Sequence, residues 1–345
     1  MSEHMRTAGV VVDVDADTED WLEVVHEAWG GPEPSDADSR APRDGGAAAA
    51  VADVRVTVAR TGTTEPGPHH RPLTRGAWSD GREVILLDAC ASGLDLTIRP
   101  SDSGLDIVAR ARPGWRHRAL GALAPDRRVL LHRAVLVQYP AMWWAGVMGH
   151  VPLHVSAATV GGSAIVLAGP GGVGKSTLVA TLDGASDVPV SDNLCVSDGH
   201  TVHGLLEPAR ALGGSGRRMP HGRRESSWAR RVESVVPDAV VVLRRGDRAD
   251  PVVRRLDASS AARELVGGTY AAGELRRYWA FAATLALGTA RGPAHPPVAG
   301  VAESMARTRP AYEVLLPSSP GVTLREIAAQ LRVTAEPAVD GAHRP

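Results

Sequence analysis

The sequence contains almost no lysine. Of its 38 basic residues only Lys175 is a lysine, so arginine supplies nearly every positive charge. Such a bias is typical of a protein from a GC-rich genome and by itself carries no functional information. Where arginine serves for almost every surface charge, however, the position of the single lysine becomes informative.

Aromatic residues and an excess of charge of one sign are also lacking. Phe, Trp and Tyr together make up 4% of the 345 residues, too few for a stacking platform that binds single-stranded nucleic acid. The formal net charge is -1, which argues against a surface built to bind nucleic acid or an anionic membrane. We therefore expect neither nucleic acid nor a membrane among the partners.

Cysteine pairs and long apolar runs are absent as well. Cys90 and Cys195 stand far apart, which gives neither a disulfide framework nor metal-type spacing. No apolar run approaches the roughly 18 residues of a membrane span, and no secretory leader pattern is present. These absences predict a cytoplasmic protein.

The length and a change of character near residue 148 predict two domains. Residues 1–148 are expected to form a β-rich, antiparallel module with flexible loops at 30–50 and 62–71. Residues 149–334 are expected to form an α/β domain, and residues 335–345 a disordered tail.

Apolar periodicity and turn residues predict the individual elements. In the first module the predicted strands are Gly9–Asp15, Val51–Ala59, Glu83–Ala89, Leu94–Arg99 and Leu105–Arg110, and the predicted helices are Thr18–Trp29 and Arg128–Met148. Pro140 should either kink the second of these helices or start a new turn. In the second domain the predicted strands are Val151–Val160, Ser163–Ala168, Val188–Val190 and Val240–Leu243, and the predicted helices are Thr177–Leu182, Ser259–Leu265 and Leu275–Leu287. A last pair of elements is expected at Tyr312–Leu316 and Leu324–Leu331.

A phosphate-binding loop is the strongest motif in the chain. The segment from Gly169 to Thr177 fits G-x-x-x-x-G-K-[ST] in full, after an apolar strand and before a helix-forming segment. Its glycines let backbone N–H groups point inward as an anion nest, and Lys175 can reach the β and γ phosphates. We expect Ser176 to bind Mg²⁺ and Thr177 to make a secondary contact. The predicted nucleotide-binding residues are Gly169, Gly171, Gly172, Val173, Gly174, Lys175, Ser176 and Thr177.

Asp192 and His154 are candidate catalytic residues. Asp192 ends a short apolar strand after the loop helix, which puts it at the carboxyl edge of the sheet near the phosphates. It could accept a proton or help to hold the metal; a simple turn aspartate is the alternative. His154, on the strand before the predicted hairpin, is expected to lie within reach of Asp192.

These residues give the sequence a resemblance to the HPr kinase/phosphorylase family. It is more similar still to the smaller HPr-kinase-like proteins that accompany ribosomally made peptides such as lasso peptides. The resemblance covers Val151–Glu207 and rests on Leu153-His154-Val155-Ser156-Ala157, the phosphate loop, and the spacing of Asp192 from it. It implies an α/β fold with a P-loop kinase core of the HPr kinase/PEP carboxykinase type. It also implies that His154 contacts Asp192, which acts as general base.

The family's second aspartate, a metal ligand, is Asn193 in this chain. The amide oxygen can still coordinate a cation, but one negative charge near Mg²⁺ is lost, which puts a reverse phosphorylase activity in doubt. The resemblance implies that Glu207 is an acidic residue near the metal and that Arg210 contacts substrate. The implied metal ligands are therefore Ser176, Asn193 and Glu207.

The arginine-rich segment from Arg217 to Arg231 has two interpretations. It could be a lid whose guanidinium groups grip a phosphate or an acidic acceptor. It could equally be a solvated loop in a chain that uses arginine for its surface charge, and this is the interpretation we favour. Arg307 and Arg309 are similar candidates with less support.

Together these features predict an ATP-dependent kinase that needs Mg²⁺ and transfers the γ-phosphoryl group to a hydroxyl. The resemblance implies a serine or threonine of a peptide or small protein as acceptor, held for example as a strand added to a sheet edge of the first module. ATP rather than GTP is the default nucleotide. A kinase of a small hydroxylated metabolite and a non-catalytic nucleotide-binding regulator stay open, as does a homo-oligomer.

Overall fold

The computed structural model describes residues 1–26, 52–59, 64–112, 123–182, 185–211, 216–219, 222–318 and 321–335. The helices are α1 (Glu19–His26), α2 (Pro125–Arg133), α3 (Tyr139–Val147), α4 (Lys175–Val179), α5 (Ala258–Ala271), α6 (Leu275–Thr289), α7 (Val298–Thr308) and α8 (Leu324–Ala335). A 3₁₀ turn (Ala89–Ala91) and a π-helical turn (Ala134–Gln138) accompany them. Among these helices, none has the length and apolar character of a membrane span.

The strands of the first half are β1 (Ser2–Thr7), β2 (Val10–Ala16), β3 (Val54–Ala59), β4 (Arg71–Thr74), β5 (Ala77–Ser79), β6 (Val84–Leu86), β7 (Leu94–Pro100) and β8 (Leu105–Ala111). Those of the second half are β9 (Val151–Leu153), β10 (Ser156–Val160), β11 (Ser163–Ala168), β12 (Val188–Ser191), β13 (Cys195–Ser197), β14 (Val202–Gly204), β15 (Ala209–Ala211), β16 (Arg224–Ser226), β17 (Ser234–Val235), β18 (Ala239–Arg245), β19 (Val252–Leu256) and β20 (Ala311–Leu316). The chain is therefore mixed α/β, as the sequence predicts.

The first eight strands form one sheet in the order β1-β2-β3-β8-β7-β6-β5-β4. The prediction of an antiparallel module is wrong at its centre, because β2 pairs with β3 and β3 with β8 in parallel. Parallel neighbours need a crossover connection, and between β2 and β3 the chain passes through α1. The remaining pairs in this sheet are antiparallel.

The predicted loops and tail fall partly on residues that the structure does not describe. Residues 30–50 and 336–345 lie outside the described part of the chain. Of the loop predicted at 62–71, residues 64–70 are described. There the Gly67 N–H donates to His70 Nδ1 (3.0 Å), and His70 Nε2 lies 2.9 Å from Glu83 Oε1, so the turn is tied to its neighbour.

The helix predicted from Arg128 to Met148 is divided by its π-helical turn. Pro140 is the second residue of α3, where its missing N–H costs no hydrogen bond within that helix. Pro140 therefore lies in the first turn of a new helix, the second of the two outcomes expected for it, and the π-helical turn at Ala134–Gln138 precedes that helix. Trp143 and Trp144 are buried in the core, as their apolar surroundings predict.

The phosphate-loop strand lies inside a six-stranded sheet of order β12-β10-β11-β18-β20-β19. β11 pairs with β10 antiparallel and with β18 in parallel. Successive residues of these strands face opposite sides, so one face packs against α5 and α7 and the other against α4 and α8. Helices on both faces leave the carboxyl end of β11 as the open edge.

The single strand predicted from Val151 to Val160 is two strands in two different sheets. β9 pairs with β13 in a four-stranded sheet of order β17-β14-β13-β9, whereas β10 belongs to the six-stranded sheet. At the break, the His154 N–H donates to the Thr269 side chain (3.1 Å) rather than to a strand neighbour. The break sets His154 between the two sheets.

The two halves of the chain share one hydrophobic core. The cluster around the eight-stranded sheet also contains Leu194, Leu205 and Leu206, and residues of α6 such as Phe281. The turn between β1 and β2 is bonded to the same region, since the Leu206 N–H donates to Thr7 Oγ1 (2.8 Å). The division at residue 148 stays a prediction.

Gly204 is required where β14 passes under β12. A Cβ at this position would lie 2.4 Å from the carbonyl oxygen of Val190, two residues before Asp192. We expect Gly204→Ala to destabilise the fold by about 1–3 kcal/mol, because a backbone carbonyl cannot move aside as a side chain can. Calorimetric melting measures the loss.

Gly300→Ala is the matched control. Gly300 is exposed in α7 and a Cβ there would meet nothing within 4 Å. This substitution should stabilise the protein by roughly 0.5–1 kcal/mol, since alanine restricts the unfolded chain and favours helix. Equal melting temperatures for the two variants would contradict the steric role of Gly204.

Candidate active site

The phosphate loop joins β11 to α4 with three glycines at positive φ. Gly169, Gly172 and Gly174 have φ values of 136°, 79° and 123°, a region that residues with a Cβ rarely adopt. At Gly169 a Cβ would also lie 2.7 Å from the backbone oxygen of Leu243. Both the conformation and the close approach of β18 therefore require glycine here.

Lys175 is buried at the base of the loop. Its ammonium group donates to the carbonyl oxygens of Gly169 (2.8 Å) and Pro170 (3.3 Å), and the residue is 5% exposed. Burial lowers its pKa to about 8; the Glu274 carboxylate opposes this shift, and Arg223 and Arg210 add to it. Lys175 is therefore charged at neutral pH but close to its titration range.

Ser176 joins the loop helix to the end of β12. Its hydroxyl donates to the backbone oxygen of Asp192 (3.2 Å), which also accepts from the Ser156 hydroxyl (2.6 Å). Because the Ser176 proton is directed at this carbonyl, the lone pairs of the hydroxyl oxygen stay available to a cation. Thr177 is exposed and does not line the cleft, and Val173 packs into the core, so only its backbone faces the loop.

Asp192 is buried directly beneath the cleft wall formed by Ser176 and Asn193. Its Oδ2 accepts from the backbone N–H of Arg210 (2.9 Å), and its Oδ1 has no hydrogen-bond partner among the described residues. Burial raises the pKa of this carboxyl group, and the Arg210 charge opposes the shift. An unpaired carboxylate oxygen at this depth is suited to accept a proton or bind a cation.

Glu207 forms a second buried carboxylate on the cleft wall. Its Oε2 accepts from Arg210 Nη2 (3.0 Å), while Oε1 has no partner within the described part of the chain. Burial raises its pKa to about 7, and Arg210 limits the rise. The other guanidinium nitrogen of Arg210, Nη1, donates to Glu274 Oε1 (2.8 Å). Arg210 thus contacts three acidic residues.

His154 lines the cleft, but its hydrogen bonds do not go to Asp192. Its Nδ1 donates to the Gly268 carbonyl (3.1 Å) and its backbone N–H to Thr269, both in α5. Burial and the charge of Lys175 lower its pKa to about 4 against the opposing charge of Glu274, so the ring is neutral at pH 7. No hydrogen bond joins the side chains of His154 and Asp192, and the contact that the family resemblance implies stays a prediction.

Asn193, like Asp192 and Glu207, is a buried residue of the site with an unpaired polar side-chain atom. Its Nδ2 has no hydrogen-bond partner among the described residues, and the residue is buried in the cleft wall. Where the structure describes the chain, no group of three or more His, Cys, Asp or Glu residues is arranged to hold a metal ion by itself. A cation here would need ligands from a bound nucleotide as well.

His154, Lys175, Ser176, Asn193, Glu207 and Arg210 line one cleft of ≈ 1180 Å³, whereas Asp192 is not part of its lining. The phosphate loop and the segment from Asn193 to Arg210 form one side, and α2 with its π-helical turn forms the other. β15 and β16 close one end, with Arg210 opposite Glu225 in their register. The start of α6 closes the remainder.

The arginine-rich segment is partly structured at this cleft. Residues 220 and 221 lie outside the described chain, whereas Arg218 and Arg223 line the cleft. Glu225 of β16 is bonded to the buried Arg133 of α2 (2.7 Å). Arg307 and Arg309 do not line the cleft, and Arg309 lies instead 3.2 Å from His200.

The sequence did not single out the contributions of α5 and α6. Glu274 holds Arg210, and Gly268 holds His154 beside the loop. One signal was available, since Gly267 and Gly268 form a glycine pair inside a helical pattern, which suggests close backbone packing. No pattern marked Glu274.

Comparison with known proteins gives a distant likeness among solved structures. No protein-family model matches the chain, and no curated protein matches it. Among solved structures, the HPr(Ser) kinase/phosphatase from Coxiella burnetii is similar, with a TM-score of 0.27 and 12% sequence identity, over 53% of this chain and 88% of that one. A likeness this weak carries no functional argument, so the function must be argued from the site itself.

Arg210 should be essential to the stability of the site. Arg210→Met leaves Glu207 buried without a cation, and we expect a loss of about 3–5 kcal/mol in the free energy of unfolding. Adding Glu207→Gln should recover part of the lost free energy of unfolding, because the neutral amide needs no counter-charge. Urea denaturation of the single and double variants measures the coupling, and strictly additive losses would contradict it.

The affinity for nucleotide should fall above pH 8. Phosphate anions favour the protonated form of Lys175, whose pKa of about 8 means that the free protein loses this charge as pH rises. Calorimetric titration with ADP in EDTA should give a dissociation constant that is flat near pH 7 and rises up to about tenfold per pH unit above 8. Lys175→Met should bind weakly at every pH, and a flat profile to pH 9.5 in the native protein would contradict the shift.

Proposed function

We propose that the chain is a P-loop kinase of the HPr-kinase-like type that transfers the γ-phosphoryl group of ATP to a hydroxyl. The observation that carries this proposal is the Ser176–Asp192 contact of 3.2 Å. The acceptor is the backbone oxygen of Asp192, so the bond places beside a complete phosphate loop the residue whose buried side chain has an unpaired carboxylate oxygen. A binding loop alone would need no such neighbour.

Each residue has a role that its environment supports. Asp192 Oδ1 takes the proton of the acceptor hydroxyl as the acceptor oxygen bonds to the γ-phosphorus. The bond from the γ-phosphorus to the β–γ bridging oxygen breaks, and ADP leaves with that electron pair. Lys175 and the loop N–H groups stabilise charge on the phosphates, and Arg223, whose charge acts on both Lys175 and Asp192, faces the same end. Neutral His154 positions α5 against the loop.

The residues also fit a magnesium ion. Mg²⁺ is usually held by one or two carboxylates together with substrate phosphates and waters. Ser176 Oγ, Glu207 Oε1 and the amide oxygen of Asn193 are candidate ligands, and the unpaired oxygen of Glu207 fits that role. Bound there, Mg²⁺ would offset negative charge on the transferred group. Asn193 brings no charge of its own, so the ion should depend on the nucleotide.

Two acceptor classes remain in competition. The family resemblance supports a serine or threonine of a peptide or small protein. A cleft lined by arginines of α2 and α6, and by Arg223 just before β16, favours a small hydroxylated molecule instead. We retain both within the kinase proposal.

Substitution of the two carboxylates tests the chemistry. Asp192→Asn is isosteric and its amide oxygen can still accept from the Arg210 N–H, so the fold and ATP affinity should persist while transfer falls by about 10³-fold or more. Glu207→Gln should instead raise the Mg²⁺ concentration needed for half-maximal rate. Asp198→Asn, on a turn away from the cleft, is the control. Transfer of [γ-³²P] phosphate to acceptors fractionated from host-cell extract provides the rate.

The same assay can reject the proposal. If Asp192→Asn retains the full rate of transfer, Asp192 is not the base. If Glu207→Gln instead loses most of the transfer rate at saturating Mg²⁺, Glu207 is the base. If the native protein binds ATP and Mg²⁺ but transfers phosphate only to water and to none of the extract fractions, a nucleotide-binding regulator becomes the better interpretation of this chain.

A further inference from the structure

The acidic residues of the cleft are all paired, whereas several of its arginines are not. Asp126 is bonded to Arg217 (3.1 Å) and Glu225 to Arg133 (2.7 Å). Glu207 and Glu274 share Arg210. By contrast, four cleft arginines have no carboxylate partner among the described residues: Arg127, Arg218, Arg223 and Arg277. The cleft therefore presents more positive charge than its own acids neutralise.

These arginines lie at different ends of the cleft. Arg223 is near the phosphate loop, where its charge acts on Lys175 and Asp192. Arg277, in the first turn of α6, is near Tyr139 and Cys90: burial raises the pKa of both groups, and the Arg277 charge opposes that rise. Arg277 therefore lies at the α6 end of the cleft, beside Tyr139.

Arg127 stands on the wall opposite the phosphate loop. The cleft-facing side of α2 carries Arg127, Leu130 and Leu131, one helical turn apart, and continues through Ala134 and Gln138 of the π-helical turn. This wall combines one exposed cation with an apolar surface. It resembles the lining of a binding site for an organic anion more than a solvated helix face.

The cleft has room for a second ligand. Pockets for one drug-sized ligand usually measure about 300–1,000 Å³. At ≈ 1180 Å³ this cleft exceeds that range, and only part of its wall belongs to the phosphate loop. A nucleotide bound through Lys175 would thus leave the α2 and α6 end free.

We infer that the α2 and α6 end of the cleft, to which Arg127 and Arg277 contribute, is an oxyanion-binding subsite for the phosphate acceptor, which carries a carboxylate or a phosphate besides its hydroxyl. The inference rests on the proposed kinase function and narrows its substrate class. Guanidinium groups bind planar carboxylates and phosphates in bidentate fashion, so either arginine would orient the acceptor as well as hold it. The apolar face of α2 would cover the carbon skeleton between the anion and the hydroxyl.

Anion binding can be measured without catalysis. The protein is saturated with Mg²⁺ and the β,γ-imido analogue of ATP, which occupies the phosphate loop, and inorganic phosphate or succinate is then titrated calorimetrically. We expect saturable binding of at least one probe, weakened about tenfold or more in Arg277→Gln and in Arg127→Gln. Stronger binding of phosphate points to a phosphorylated acceptor, and stronger binding of succinate to a carboxylic acid.

Each test residue has an arginine beside it as a matched control. Arg276 and Arg128 are exposed and adjacent in sequence to Arg277 and Arg127, but neither lines the cleft. Arg276→Gln and Arg128→Gln remove the same charge from the same helices and should leave probe binding unchanged. Equal weakening in controls and test variants would show a general surface-charge effect and overturn the subsite.

Matched acceptors then connect the subsite to transfer. Glycerate is compared with glycerol, and a serine peptide flanked by glutamate with its glutamine counterpart. Where the protein phosphorylates the members of a pair, the anionic member should have a KM at least tenfold lower than its neutral counterpart. Arg277→Gln should remove that difference in KM. Equal KM values in the native protein, or no saturable probe binding, would overturn the inference. Arginine-dependent probe binding without transfer to any acceptor would instead contradict the proposed function.

Discussion

The arrangement of the site depends on a single buried arginine. Burial raises the pKa values of Asp192 and Glu207, and Arg210 opposes both shifts, through its charge and through hydrogen bonds to each residue. Arg210 is itself fixed by the register of β15 against β16, where it stands opposite Glu225. Glu225 is bonded to Arg133 of α2. The pairing of β15 with β16 thus links the ion pair of Arg210 with Glu207 to the ion pair of Glu225 with Arg133 on the opposite wall of the cleft.

This connection explains why the first half of the chain belongs to the site. α2 forms the wall that faces the phosphate loop, and the β1–β2 turn holds the Leu206 backbone just before Glu207. Residues before position 149 therefore act as more than an attached module. Their packing sets the width of the cleft, and with it the size of the molecule that can reach the loop.

The sequence predicted the local features well and the long-range ones poorly. The phosphate loop follows from glycine conformations and one lysine, both local properties, and its flanking strand and helix follow from apolar periodicity. The split of Val151–Val160 depends on Thr269 and the pairing of β2 with β3 on a crossover, which no short window contains. For the same reason, adjacent arginines such as Arg276 and Arg277 look alike in sequence, although only Arg277 lines the cleft.

Under the proposed function, Asn193 in place of the second aspartate that the family resemblance implies agrees with the charge distribution of the cleft. Among the described residues, Asp192, Glu207 and Glu274 bring negative charge to the end near Lys175 and Ser176, and Arg210 offsets part of it. Because Arg210 is bonded to both glutamates, such a site should hold a cation weakly by itself. A polyphosphate, however, is attracted by Lys175 and Arg223 and brings oxygen ligands of its own. Nucleotide and metal should therefore enter this cleft together, with the nucleotide supplying the charge that Asn193 lacks.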